Sequence, residues 1–161
     1  VAQRYHRTQV SEGKLYLCAI KDCFSNRIVG YSIDERMTAA LTVAALRNAV
    51  ATRSPAGTVV HSDRGSLGNF APDDSCMRCR PTDYEAQWGE SGLGDNAAME
   101  SFFALLQRNV LDRRHWATRE ELLLAIVVWI ERTYHRRRRQ RRLGHLTPIE
   151  FETTNQPALA T

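Results

Sequence analysis

Lysine is nearly absent from this chain: of its 22 basic residues only Lys14 and Lys21 are lysine, and the others are arginine. Its positive charge is therefore carried by planar guanidinium forks, which grip phosphate bidentately, rather than by point-like ammonium groups. No apolar run approaches the roughly 18 residues that a membrane-spanning helix needs, and no signal-peptide pattern opens the sequence. Both absences argue against a membrane protein, and the expectation is a cytoplasmic one. Cysteine is scarce too, at Cys18, Cys23, Cys76 and Cys79. Cys76 and Cys79 have the spacing of half a zinc site, but no second half at matching spacing accompanies them. Free thiols in a reducing compartment are expected instead.

What is present suits one globular domain: 161 residues, 43% hydrophobic and 25% charged. That length buries a core without staples. The net charge of +4 is modest, but Arg132, Arg136, Arg137, Arg138, Arg139, Arg141 and Arg142 crowd one stretch. Cations at a helix end also complement the macrodipole, so a solvated helix terminus is the bland alternative. The density of the cluster favours a nucleic acid.

Periodicity predicts strands over 14–21, 27–34 and 58–63, and helices over 38–53, 95–111 and 117–139. Asp95 is the expected cap of the second helix and Thr118 of the third, where Thr118-Arg119-Glu120-Glu121 reads as a capping box. Leu122, Leu123, Ile126, Val127 and Ile130 form the third helix's apolar stripe, and Pro148 is expected to close the helical part. Strands alternating with helices indicate an α/β fold.

Two strings carry chemistry: His61-Ser62-Asp63-Arg64-Gly65-Ser66 and Gly94-Asp95-Asn96-Ala97-Ala98-Met99-Glu100-Ser101-Phe102-Phe103. Asp63 ends a predicted strand and Glu100 lies in the first turns of a predicted helix. Two carboxylates so placed can face each other across a sheet edge, which suits a divalent ion that keeps water and phosphate oxygens as its other ligands. The pair, with thirty-six residues between them, resembles the second and third acidic residues of the DDE transposases of bacterial insertion sequences and the retroviral-type integrase core. The likeness extends to a hairpin running from Glu12 through Asp22 to Tyr31, and to a C-terminal signature at Trp129–Arg138 and Leu146–Phe151. Residues 12–66 and 92–152 are covered by such motifs.

The resemblance implies an RNase H-like mixed sheet flanked by helices, with residues 1–152 as the catalytic core and 153–161 as a tail. It implies cleavage and transfer of DNA strands through Mg²⁺ or Mn²⁺, with two ions about 4 Å apart activating the nucleophile and stabilising the leaving oxygen. Asp63 and Glu100 would be catalytic and metal-binding, and Asp22 structural. Arg64, Gln107, Arg108, His135, Arg136, Arg137 and Arg138 would meet DNA, both transposon ends and target, and a homo-oligomer is compatible with the family. The alternative is a non-catalytic basic module that binds DNA through the arginine run alone.

Residues 1–11 and 67–91 do not fit. The family's first strand carries its first catalytic Asp in a string like D-I-T-E-H, whereas residues 1–10 contain no carboxylate. Arg4, His6 and Arg7 also suit a buried strand poorly. Residues 67–91 have neither helical nor strand periodicity, and a structureless insert of that length is unusual within a compact domain. Permitted codons for residues 1–10, read one base out of frame, can spell W-L-N-D-I-T-E-H-R. A two-base offset over 67–91 can likewise restore an amphipathic helix and a strand. The expectation is thus a decayed transposase core, its first strand and its central helix–strand unit lost or disordered, metal binding impaired and activity gone.

Overall fold

The computed structural model describes residues 2–53, 58, 60–62 and 93–155. Its centre is the hairpin of β2 (Gly13–Lys21) and β3 (Ile28–Asp34). Asp22 builds the turn between them: one carboxylate oxygen accepts the Phe24 N–H and the other the Ser25 hydroxyl, each at 2.9 Å. Asn26 takes the left-handed conformation, φ 59°, which its short polar side chain tolerates. The structural role expected of Asp22 is met.

The first strand is present, contrary to expectation. β1 (Ala2–Val10) pairs antiparallel with β2 along its whole length, from Ala2↔Lys21 to Val10↔Gly13. Its polar residues are tolerated because each face supplies partners. Gln3 donates to the Cys18 sulfur at 3.6 Å and Tyr5 bonds Thr42 on one side of the sheet. On the other side His6 stacks on Phe103, ring centroids 5.2 Å apart. Backbone pairing and local partners here outweigh an unpromising strand composition.

β4 (His61–Ser62) runs parallel to β1, in register Ala2↔His61 and Gln3↔Ser62. The sheet order is β3-β2-β1-β4, a mixed sheet with helices on both faces. Of the strand predicted over 58–63, only His61–Ser62 pairs among the described residues. Residues 67–91, with Cys76 and Cys79, lie outside them.

α1 (Ala39–Arg53) covers one face, packing Leu41, Ala45 and Ala49 on Cys18, Ile20 and Val29. It sits so close to β3 that a Cβ on Gly30 would stand 2.3 Å from the Ala45 carbonyl oxygen. Cys18 belongs to this layer, while Cys23 packs against the opposite core, so the two thiols do not share a site.

α2 (Leu93–Asn109) and α3 (Arg119–Val128) cover the other face. Met99, Phe102, Phe103 and Leu106 meet Leu15, Leu17 and Ala19 from the sheet and Leu122, Ile126 and Ile130 from the third helix region. α2 starts two residues ahead of the cap expected at Asp95. Thr118 caps α3 by accepting the Glu121 N–H at 3.2 Å. Leu123, expected in the buried stripe, is 38% exposed, because the helix turns Leu122 and Ile126 inward instead.

The third helix also ends earlier than predicted. It widens into a π-helical turn over Trp129–Tyr134 and leaves the helix beyond it. The wider turn brings Trp129, Ile130, Tyr134 and His135 all into the core, whereas the arginines that follow have nothing apolar to bury. A short bridge between Gln140 and Leu146 then reverses the chain, with Gly144 at φ 65°.

Pro148 opens a helix rather than closing one. α4 (Pro148–Asn155) starts with Pro in its first turn, where no N–H is required. Thr147 and Glu150 form a reciprocal capping box: the Glu150 carboxylate accepts the Thr147 N–H at 2.8 Å, and the Thr147 hydroxyl accepts the Glu150 N–H at 3.2 Å. The helix extends three residues into the expected tail.

Candidate active site

Glu100 reaches the site because Met99, Phe102 and Phe103 anchor α2 in the core and turn the intervening face outward. Its side chain is 57% exposed and lies beside β1. Lys21, at the end of β2, fixes the same turn of the helix from the sheet: its ammonium donates to the Ala98 carbonyl at 2.9 Å. The lysine is buried, and burial pushes its pKa down to about 8.

Arg4 meets Glu100 directly. Its guanidinium donates to the carboxylate at 3.0 Å, joining β1 to α2. The parallel ladder between β1 and β4 ends at Gln3↔Ser62, and Arg4 is the next residue of β1. Asp63 and Arg64 themselves lie outside the described residues, as does the side chain of His61. Sequence reading passed over both Arg4 and Lys21. The signal for Arg4 was available, since the Asp of the alternative-frame string W-L-N-D-I-T-E-H-R is its fourth letter.

Gln107, seven residues beyond Glu100, returns to β1 and not outward. Its amide oxygen is 3.1 Å from His6 Nε2, and its amide nitrogen donates to Asp112. Burial holds His6 below the ordinary imidazole range, against the hydrogen bond it donates to Gln107. Arg108 is exposed and donates back to the Ala104 carbonyl at 3.3 Å.

The expected DNA contact by His135 does not fit the structure. Its side chain is 1% exposed, and Nε2 accepts the Ile28 backbone N–H at 3.2 Å. Nδ1 stands 3.2 Å from the Glu131 carboxylate, to which it can donate in the neutral tautomer. An imidazolium could not accept from Ile28, and burial holds the pKa below its ordinary value despite the carboxylate. His135 is thus a joint between β3 and the π-helical turn. A Glu four residues earlier was the legible sign of a satisfied core histidine. Arg136, Arg137 and Arg138 leave the helix immediately afterwards and are all exposed.

A divalent ion does not fit the described donor set. Among the described residues no group of three or more His, Cys, Asp or Glu could hold a metal ion. Glu100, the carboxylate expected to bind one, is already met by a cation. Among the described residues, too, no helix is long and apolar enough to cross a membrane.

Two sequence models described as integrase core domain match the chain, over residues 5–68 and 100–155. The stretch between them includes the misfit segment 67–91 almost entirely. The chain is 39% identical over 142 residues to the insertion element IS600 uncharacterized 31 kDa protein of Shigella sonnei, covering 87% of this chain and 52% of that protein. It is 35% identical over 153 residues to the transposase InsF for insertion sequence IS3A of Escherichia coli (strain K12), covering 94% and 52%. The chain therefore spans about half the length of these curated relatives. Among solved structures, the HTLV-2 integrase catalytic core domain in complex with magnesium (trimeric form) superimposes with a TM-score of 0.64 at 15% identity, covering 93% of each chain. At that identity the likeness establishes the RNase H-like fold.

Proposed function

The chain belongs to the integrase core family, with insertion-sequence transposases among its relatives, and from that premise we infer that it is the catalytic core of such a transposase in a decayed and inactive form. The type of reaction is metal-dependent cleavage and transfer of DNA strands. Asp63 and Glu100 are its second and third acidic residues, and Mg²⁺ or Mn²⁺ is the ion the intact core would take. Its partner is DNA, transposon ends and target, and assembly of several copies accords with the family. Arg64, Arg108 and the exposed run Arg136, Arg137 and Arg138 are the side chains offered to the phosphate backbone.

One observation carries the inactive reading: the Arg4–Glu100 ion pair at 3.0 Å. A strand in the first-strand position presents a guanidinium to the third carboxylate instead of a further carboxylate. Positioning supplies much of the barrier reduction in such reactions, so a mismatched ligand set costs orders of magnitude in rate. No catalytic step through a metal is derived for the chain as it stands. What remains is a folded basic surface able to hold DNA.

The test is strand transfer with Mg²⁺ or Mn²⁺ by two proteins. The chain as written should give none. A repaired chain, with residues 1–10 and 67–91 replaced by their alternative-frame readings, should recover it. Robust transfer by the unrepaired chain would overturn the inactive reading. Silence from a folded repaired chain would count against the assignment of the site.

A further inference from the structure

Arg4 does more than remove a ligand. A change from Asp to Arg at one position adds two units of positive charge, the same amount that a divalent ion would bring. The guanidinium places that charge on the Glu100 carboxylate at 3.0 Å, within the range of a charge-assisted hydrogen bond. The strand supplying it is fixed by its ladder with β2, and the helix receiving it is clamped by Lys21 at Ala98. Both elements are thus held in place with the Glu100 carboxylate already paired. An incoming ion would have to break the pair and lie beside a guanidinium that cannot deprotonate.

We propose that Arg4 is the resident cation of this corner, holding the Glu100 carboxylate in place of a divalent ion, so that this chain takes no such ion there and its fold does not need one. The inference rests on the reading of Glu100 as the third acidic residue. It goes beyond that reading by naming what replaces the metal and by making the replacement reversible through one side chain.

Mn²⁺ is the probe, its bound fraction read by electron paramagnetic resonance on the full 161-residue chain. The wild type should have no saturable site that Glu100→Gln removes. Arg4→Asp should gain one, with affinity at least tenfold above the wild type, and the double variant Arg4→Asp/Glu100→Gln should lose it again. Thermal unfolding with and without Mn²⁺ should give the same ranking, with a rise in Tm only for Arg4→Asp. Saturable Mn²⁺ binding by the wild type that depends on Glu100 overturns the proposal and leaves the transposase reading intact. If Arg4→Asp does not fold, Arg4→Met and Glu100→Gln decide: non-additive effects on urea stability support the ion pair, and additive effects overturn it. A folded Arg4→Asp that gains no site, although Arg4 and Glu100 prove coupled, reduces the pair to a strut. The resident-cation proposal then falls together with the reading of this corner as a metal site.

Discussion

The Nε2 of His135 accepts the backbone N–H of Ile28 at 3.2 Å, tying the end of the long helical segment to the first residue of β3. This bond exists only while the imidazole is neutral. Burial lowers the folded pKa, and Glu131 and Glu152 oppose that shift without reversing it, while Arg27 reinforces it. The unfolded histidine titrates near about 6.5. Below that value the unfolded chain binds more protons than the folded one, so stability is full above it and declines as pH falls toward the folded pKa. His6, also lowered by burial, adds in the same direction. Urea unfolding between about pH 8 and 5 should show this decline, at most about 1.4 kcal/mol per pH unit for each histidine. His135→Gln should reduce it, leaving the share that His6 contributes. An unchanged slope would refute the neutral joint.

Gly30→Ala should destabilise the fold by about 1–3 kcal/mol, the usual cost of overpacking. The new Cβ would stand 2.3 Å from the Ala45 carbonyl oxygen and 2.6 Å from the Ala49 nitrogen, so α1 would have to move as a body. Gly144→Ala is the control, with no atom within 4 Å of its Cβ and only its φ of 65° against it. Its cost should be about 1 kcal/mol, from backbone strain alone. Equal losses in the two variants, by urea unfolding, would contradict the close approach.

Arg137→Ala with Arg138→Ala should weaken binding to unrelated duplexes alike and reduce the salt slope by about one to two. Fluorescence anisotropy over a range of salt concentrations would measure both. Unchanged affinity and slope would reduce the cluster to a solvated end.

In the repaired chain, Asp63→Ala or Glu100→Ala should each lower strand transfer by orders of magnitude while leaving DNA affinity within a few-fold. Binding lost in parallel with transfer would mean that these carboxylates support the surface and not the reaction.

Much of this architecture was legible because local signals agreed with tertiary packing. The β2–β3 hairpin answers to the strands predicted over 14–21 and 27–34, and α1 to the helix predicted over 38–53. Thr118 announced α3 through a cap that the structure retains. β1 was illegible because its pairing energy is in the backbone and its side chains read as a poor strand until Cys18, Thr42, Phe103 and Glu100 supply partners. The end of the third helix was hidden by its π-helical turn, which redirects the chain without any Pro or Gly. Pro148 was misread although Thr147 and Glu150 spelled a capping box around it. Asp63 was legible as chemistry in its string, while Arg4 was marked only indirectly, by the Asp of the alternative-frame string.

The link between β1 and β2 is only two residues, Ser11 and Glu12. Side chains alternate faces along a strand, so this link determines which residues look toward α2 and which toward α1. Inserting or deleting one residue there, with β2 held, would slide β1 by one place. Gln3 or Tyr5 would then stand over Glu100, and the guanidinium of Arg4 would be driven against Leu41 and Ala45. From that hairpin to Arg4 is about 20 Å of strand. Ser11 and Glu12 thus act as a vernier, setting the charge at the far end of β1 by length alone.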